Sequence, residues 1–285
     1  MAEKIVALVD ASLYAASVCE HAAWISQRTS APVELLHVLG RREGAAAPQD
    51  LSGSIRLGAR TRLLEELAEL DTRRARIGNE HGRAILDDAR ALTEGAGASS
   101  VTTRLMHGDL IETVAALQPE TRVVLIGKRG EAADFAKGHL GSNLERVVRI
   151  SQKPVLVASR AFRPIHKVLI AFDGGNSSRK AVDYMSGSPL YRDLALELVT
   201  VGAPDADRQA RLDQAAQVLR DAGLSVETRR VEGQPDAALK QLVEAERFDM
   251  LVMGAYGHSR IRSLMIGSTT TQMIRSCKVP LLLFR

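Results

Sequence analysis

Aromatic residues are scarce in this chain, at 4% of 285 residues. Proteins that bind single-stranded nucleic acid stack bases on aromatic side chains, so the scarcity argues against such a platform. The net charge of +4 comes from acids and bases that are interspersed along the chain, which indicates a solvated surface rather than a basic stripe. The composition therefore predicts that nucleic acid is not a partner.

Long apolar runs are also missing. No stretch approaches the ~20 residues that a membrane-spanning helix needs, so no membrane association is expected. The N-terminal segment MAEKIVALVDAS is typical of a strand rather than of a signal peptide. Cys19 and Cys277 lie far apart and form no CxxC pair, which predicts two reduced thiols in a cytoplasmic protein.

The chain does contain an internal repeat, in which one sequence unit occurs twice. KIVALVDAS near the start resembles KVLIAFDGG farther on, so that Asp10 pairs with Asp173, 163 positions later. Beyond position 100 the offset is smaller, since Val101 pairs with Val226, 125 positions later. The first half therefore carries 38 extra residues, all within positions 39–100.

The extra residues form a predicted helical insertion, 40–98. Positions 40–53 are rich in glycine, alanine and arginine and predict a loop. From about 54 to 93, apolar residues recur at helical spacing amid mixed charges, which predicts one long or two shorter amphipathic helices. The insertion is a candidate surface for a protein partner.

Outside the insertion, each half alternates strand and helix patterns, which predicts the α/β class with two doubly wound, parallel sheets flanked by helices. Each predicted strand is interpreted as a continuous apolar stretch, as expected when both faces are covered. The predicted domains are 1–158 and 165–285, with a linker near 158–164. The strands of the second half are predicted near 166–172, 195–201, 225–231, 249–253 and 280–284.

A glycine-spaced loop follows an apolar strand in each half. The second loop reads GAYGHSRIRSLMIGSTT, with Gly254, Gly257 and Gly267 ahead of three hydroxyl residues. Glycines let the backbone approach a phosphate, and the first amides of the next helix are unpaired and partly positive. These features predict an anion nest for the phosphates of a nucleotide. The alternative is that the glycines only form ordinary turns and that Ser268 is the helix N-cap.

The first half repeats the loop as GKRGEAADFAKGHLGSN, but its second gap is ten residues instead of nine. Lys128 and Arg129 follow its first glycine, and these cations either strengthen anion binding or are simply solvated. Asn143 and Leu144 stand where Thr269 and Thr270 stand in the second half, so the second half is predicted to be the better site.

Asp10 and Asp173 each follow the first strand of their half. Both carboxylates are expected at the crevice edge, because ligands of open parallel sheets bind at the carboxyl ends of the strands. Either carboxylate could meet a ribose or base, or it could cap the next helix. The residues leave both interpretations open.

The second loop is similar to the G-x2-G-x9-G-[ST] motif of the universal stress protein family, and each half resembles a whole domain of that family. The chain therefore resembles a tandem member. The resemblance implies a five-stranded sheet of order 3-2-1-4-5 in each domain. The two domains would pack as a pseudo-two-fold pair through their last strands, VLVAS and LLLFR, in a monomer or a further homodimer.

The resemblance also implies ATP or a related adenine nucleotide as the ligand, with or without Mg, in a stress-response protein. The implied adenine and ribose contacts are Ala171, Phe172, Asp173 and Val201. The implied ribose and phosphate loop is Met253, Gly254, Gly257, Gly267, Ser268, Thr269 and Thr270; Tyr256 departs from the histidine that is common there. A second site in the first half would use Asp10, Val38, Gly127, Gly130, Gly141 and Ser142.

No catalytic motif stands out, since GxxxxGK[ST], GxSxG and HExxH are all missing from the sequence. Slow ATP hydrolysis is the most that the residues suggest. The first hypothesis is a nucleotide-responsive regulatory protein. The alternatives are a nucleotide-independent interaction scaffold or binder of another small ligand, and an enzyme that acts on a small phosphorylated or acyl substrate.

Overall fold

The structure is a computed structural model, and it describes residues 3–40, 57–130, 142–203, 205–255 and 267–285. The strands are β1 Lys4–Leu8, β2 Val33–Leu39, β3 Val101–His107, β4 Thr121–Gly127, β5 Val155–Ala158, β6 Lys167–Ala171, β7 Ala195–Val201, β8 Val226–Val231, β9 Met250–Gly254 and β10 Leu281–Phe284. The helices are α1 Ala15–Thr29, α2 Leu57–Gly95, α3 Leu110–Leu117, α4 Ser142–Ile150, α5 Asn176–Ser186, α6 Ala206–Asp221, α7 Pro235–Ala245 and α8 Ser268–Ser276. Short 3-10 turns cover Gln118–Glu120 and Pro189–Tyr191.

All the strands belong to one ten-stranded sheet of order β3-β2-β1-β4-β5-β10-β9-β6-β7-β8. Each half has the predicted order 3-2-1-4-5, and every pairing inside a half is parallel. The halves join where β5 and β10 pair antiparallel, with Leu282 opposite Leu156. The α/β class and the pairing of the last strands are thus confirmed, and the two predicted sheets are continuous.

Strand burial follows position in the sheet. The central strands β5 and β10 are buried along their whole length, whereas the outermost strands β3 and β8 have several exposed residues. The prediction of a continuous apolar stretch in every strand is wrong for β8, whose sequence is VETRRV. An edge strand has one neighbour and is incompletely covered, so polar side chains are tolerated there.

The insertion contains one long helix, α2, of 39 residues. Its C-terminal part packs on the first half through Leu86, Ala89 and Thr93, which are all buried. Gly82 marks where the helix meets the sheet, because a Cβ there would lie 2.8 Å from Cδ1 of Leu105. The predicted loop at 40–53 lies almost wholly outside the described residues.

Each half carries the same cluster of ion pairs. In the first, the buried Glu34 lies 3.1 Å from Lys4 and 2.9 Å from Arg104. In the second, the buried Glu197 lies 2.7 Å from Arg229. Glu120 and Glu246 complete the clusters by pairing with Lys4 and with Arg229, respectively. Lys167 of β6 also pairs with Glu246, at 3.4 Å. The clusters thus tie the first three strands of each half to the segment that precedes the fourth.

None of the helices in the described ranges combines the length and apolar character needed to cross a membrane. The predicted domain limits, 158 and 165, stay a prediction. β5 ends at Ala158 and β6 begins at Lys167.

Candidate functional site

The candidate site of the second half lies where β6 and β9 end. These strands are neighbours, with Ala171 opposite Met253. The chain continues from β6 to β7 on one side of the pair and from β9 to β10 on the other. This is the reversal of strand order at which open α/β sheets form a ligand crevice.

Gly254 allows a helix to approach the end of β9. A Cβ at this position would lie 2.9 Å from Cβ of Ser177 and 3.4 Å from the backbone nitrogen of Ser178. Real Cβ atoms do not pack that closely, so any side chain here would push the first turn of α5 away from the sheet. The first glycine of the loop therefore has a packing role, and its predicted phosphate contact stays a prediction.

Thr270 joins the start of α8 to the end of β9. Its side chain is buried, and its hydroxyl donates toward the carbonyl oxygens of Gly254 at 3.2 Å and Ala255 at 3.3 Å. The amide of Gly267 also donates to the Ala255 carbonyl, at 3.1 Å. The Thr270 hydroxyl thus serves the loop backbone in this arrangement, which weighs against the phosphate contact predicted for it.

The N-cap of α8 is Gly267, so the alternative that Ser268 is the N-cap is wrong. Ser268 is exposed and Thr269 is half-buried at the start of the helix. The amides of a first helical turn have no partner within the helix. Both hydroxyls and these amides therefore lie at the helix end that favours an anion.

Asp173 organises the turn between β6 and α5. Its Oδ1 accepts hydrogen bonds from the amide of Gly175 at 2.8 Å and from the Ser178 hydroxyl at 2.6 Å. Gly174 between them has a φ of 75°, in the left-handed region that glycine adopts without strain. The N-cap of α5 is Gly175, and no side chain caps it, so the interpretation of Asp173 as a helix cap is wrong. Asp173 instead forms a turn before the helix and is exposed at the crevice edge.

Two residues that the resemblance placed at the ligand have their side chains in the core. Phe172 is 4% exposed and Met253 is 5% exposed. A ligand could therefore contact these two residues through their backbone and not through their side chains. The Phe172 amide already donates to the Val199 carbonyl, at 2.8 Å.

Two arginines of α6 stand at the rim of this crevice, and sequence reasoning missed both. Arg208 donates to the carbonyl of Val201 at 3.4 Å. Arg211 covers Gly174, where a Cβ would lie 3.3 Å from its Cδ. The available signal was the pair of arginines three positions apart, near the start of the helix that follows β7.

The first-half crevice lies at the equivalent strand ends but has different side chains. A Cβ at Gly127 would lie 2.6 Å from Cβ of Tyr14, and one at Gly130 would lie 3.0 Å from Oδ2 of Asp10. Oδ1 of Asp10 accepts from the amide of Ser12 at 3.0 Å. Val38 is half-buried near the end of β2. Asp10 thus also organises the turn after its strand.

Lys128 lies at the boundary between the halves, so the interpretation that it is simply solvated is wrong, and its predicted role in anion binding stays a prediction. It is half-buried and donates to the carbonyl of Cys277, which is the C-cap of α8 in the other half. Burial lowers the pKa of its ammonium group. A cation at a helix C-terminus satisfies a free carbonyl and the negative end of the helix dipole.

Several predicted site residues cannot be placed. Gly257, Tyr256 and Gly141 lie outside the described residues, as does the side chain of Ser142. Within the described ranges, no group of three or more His, Cys, Asp or Glu residues is arranged to hold a metal ion.

Residues 1–159 and 186–285 match the model of the universal stress protein family. A universal stress protein from Synechocystis sp. is 38% identical over 286 residues, which cover 99% of this chain and 100% of that protein. The crystal structure of a universal stress protein from Archaeoglobus fulgidus covers 99% of this chain and 96% of its own, at 20% identity and a TM-score of 0.71. A universal stress protein solved in complex with cAMP is 30% identical and covers 43% of this chain and 98% of its own, at a TM-score of 0.38.

Proposed function

The chain belongs to the universal stress protein family, and we propose that it is a nucleotide-responsive regulatory protein that binds ATP or a related adenine nucleotide in the crevice of its second half. The observation that carries this proposal is the set of hydrogen bonds between the residues that flank the glycine loop. Thr270 and Gly267 hold the start of α8 against the end of β9, beside Asp173 at the switch point of the sheet.

The phosphates of the nucleotide would lie at the N-terminus of α8. The amides of its first turn are directed out of the helix, and the helix dipole adds partial positive charge at this end. Ser268 and Thr269 supply hydroxyl donors that are not buried in the core. Backbone donors of this kind recognise phosphate without a dedicated lysine.

The ribose and base would lie toward β6 and β7. The exposed carboxylate of Asp173 is a suitable acceptor for a ribose hydroxyl, and its bonds to Gly175 and Ser178 fix its position before the ligand arrives. The resemblance assigns Val201 to adenine, and we propose that its carbonyl, to which Arg208 now donates, is the group that meets the base. Binding would therefore require Arg208 to release this carbonyl, which couples the ligand to α6.

We propose binding and release as the main activity, with slow hydrolysis at most. One oxygen of Asp173 already accepts two hydrogen bonds, which makes this carboxylate a poor general base. A ligand that favours one position of Arg208 and α6 would shift the surface presented to a partner. That shift would be the regulatory output.

The test is calorimetric titration of the protein with ATP, ADP and AMP, with and without Mg; cAMP is added because one solved relative is in complex with it. Micromolar binding to the wild type should weaken by at least about 100-fold in Gly267→Glu, because the new carboxylate lies at the helix end where phosphate binds. Gly141→Glu is the matched control at the equivalent glycine of the first half, and it should retain binding.

Two outcomes would contradict the proposal. One is the absence of heat with every nucleotide in a folded wild-type sample, which would favour the scaffold alternative. The other is loss of binding in Gly141→Glu with retention in Gly267→Glu, which would move the site to the first half. Arg208→Ala should bind adenine nucleotides more tightly than the wild type, because the Val201 carbonyl is no longer engaged.

A further inference from the structure

The N-terminal part of α2 stands away from the first half. From Leu64 to Ile77, every residue is exposed except Asp71, which is half-buried. The close contact of the helix with the sheet begins only near Gly82. We call residues 64–77 the arm; at 1.5 Å per residue it is roughly 20 Å long.

The arm has an apolar stripe. The exposed fractions of its apolar side chains are 56% for Leu64, 40% for Leu67, 50% for Leu70 and 53% for Ile77. Among the described residues, eight large apolar side chains are exposed, and the arm holds four of them. Leu67, Leu70 and Ile77 recur at intervals of three and seven residues, which places them on one helix face in the pattern of a coiled-coil seam.

The charges of the arm are divided between its two ends. Its first part carries Glu65, Glu66, Glu69 and Asp71, and its second part carries Arg73, Arg74 and Arg76. Two arms laid side by side in opposite directions would place the acidic part of each against the basic part of the other. Two arms laid in the same direction would place like charges together. The charge order therefore selects an antiparallel copy of itself.

Stabilisation of an isolated helix explains this pattern less well. The helix dipole favours acids in the first turn and bases in the last, but here the sign changes near position 72 of a helix that runs from Leu57 to Gly95. The ion pair of Arg76 with Glu80, at 3.7 Å, is highly exposed and contributes little. Neither effect requires an exposed apolar stripe.

We propose that the arm pairs with the arm of a second copy of this chain as an antiparallel two-helix coiled coil. The two-fold axis would pass near Asp71, between the acidic and basic parts. The apolar stripe would then be buried between the two copies. This inference is independent of nucleotide binding, because the arm carries none of the candidate ligand residues.

Sedimentation equilibrium of the full chain, with two charge-reversed variants, tests the proposal. R73E/R74E/R76E has a wholly acidic arm, and E65K/E66K/E69K has a basic arm in which Asp71, near the proposed axis, is the one remaining acid. Each variant alone should self-associate at least about tenfold more weakly than the wild type, because like charges meet. An equimolar mixture should recover the dimer. A wild type that stays monomeric, or variants that each dimerise as the wild type does, would overturn the proposal.

Disulfide trapping tests the antiparallel direction. Leu70→Cys places a thiol near the proposed axis, where it would meet its own copy under oxidising conditions. Ile77→Cys lies on the same face, but its two copies would be roughly 18 Å apart. The two native cysteines are buried. Crosslinking of Leu70→Cys alone is expected, and equal crosslinking of both variants would indicate parallel arms and overturn the model.

Discussion

The two crevices of this molecule lie at equivalent strand ends and differ in the residue that begins the helix after each glycine loop. In the second half, the Thr270 hydroxyl donates toward two carbonyls at the end of β9. In the first half, the equivalent residue is Leu144, which is buried in the apolar core. A hydroxyl at this position orients the loop backbone, whereas a leucine only fills space. The same fold thus has a hydrogen-bonded threonine at this position in one half and a core leucine in the other.

The comparison also separates two roles of glycine. The first glycine of each loop, Gly127 or Gly254, permits close contact with the start of the first helix of its half. This role is present in both halves, whichever of them binds a ligand. The first glycine of each loop therefore has a packing role in both halves.

The largest expected difference between the halves is their response to pH. His21 of α1 is fully buried beside Phe162, and burial lowers its pKa from 6.5 to about 4. Tyr184 holds the equivalent place in the second half. The unfolded chain takes up this proton near pH 6.5 and the folded chain does so only near pH 4. The free energy of unfolding should therefore fall by about 3 kcal/mol on this account as the pH drops through that interval.

Urea unfolding at several pH values checks this expectation. His21→Asn should remove that part of the pH dependence, whatever its effect at pH 7, while Tyr184→Phe should leave the dependence unchanged. An unchanged pH dependence in His21→Asn would show that other groups cause it.

The second comparison concerns the repeated ion clusters. Arg229→Met leaves the buried Glu197 without its ion-pair partner, and burial already raises the pKa of that carboxyl. Arg104→Met leaves Glu34 paired with Lys4. Arg229→Met should therefore lower the free energy of unfolding by about 2 to 3 kcal/mol, and Arg104→Met by about 1 kcal/mol. Equal losses in denaturant unfolding would contradict this difference.

The third comparison uses the first glycine of each loop. Gly127→Ala should lower the free energy of unfolding by about 2 kcal/mol, because the added Cβ would lie 2.6 Å from Cβ of Tyr14. Gly254→Ala should lower it by about 1 kcal/mol, because the added Cβ would lie 2.9 Å from Cβ of Ser177. Thermal unfolding measures both. Gly40→Ala is a control, since a Cβ there meets nothing within 4 Å; a greater loss in Gly254→Ala than in Gly127→Ala would reverse the expected order.

The smallest effect is expected at the boundary between the halves. Lys128 donates to the carbonyl of Cys277 at the end of α8, and Arg285 donates to the carbonyl of Arg149 near the end of α4. Each half thus caps a helix of the other. Lys128→Met and Arg285→Met should each lower the free energy of unfolding by about 0.5 to 1 kcal/mol, seen as a lower urea midpoint. Midpoints equal to that of the wild type would show that these caps contribute nothing.

Much of the fold could be predicted from the sequence. Repeated strand and helix patterns located the strands of the second half to within a few residues, and the resemblance implied both the strand order and the pairing of β5 with β10. The ion clusters also follow the sequence repeat, since Glu34 and Glu197 are 163 positions apart, as Asp10 and Asp173 are.

The candidate site was predicted less completely. The glycine spacing located the loop, and Asp173 is at the expected edge of the crevice. Arg208, Arg211 and the engagement of the Thr270 hydroxyl were missed, because each depends on where a side chain points after helices and strands have packed. Rotamer choice follows from close packing and leaves no periodic trace in the sequence.

The sequence by itself determined the class of the fold, the duplication, the insertion helix and the place of the glycine loop, because periodicity and turn residues act through local backbone geometry. Only the tertiary structure decided what Lys128 does, since its partner Cys277 lies 149 residues away. The same holds for the start of the helix after each glycine loop, where Thr270 is hydrogen-bonded to the strand end and Leu144 is buried in the core. The local sequence pattern determines where helices and strands form. The packing of those helices and strands then determines which polar groups are already hydrogen-bonded and which remain available to a ligand.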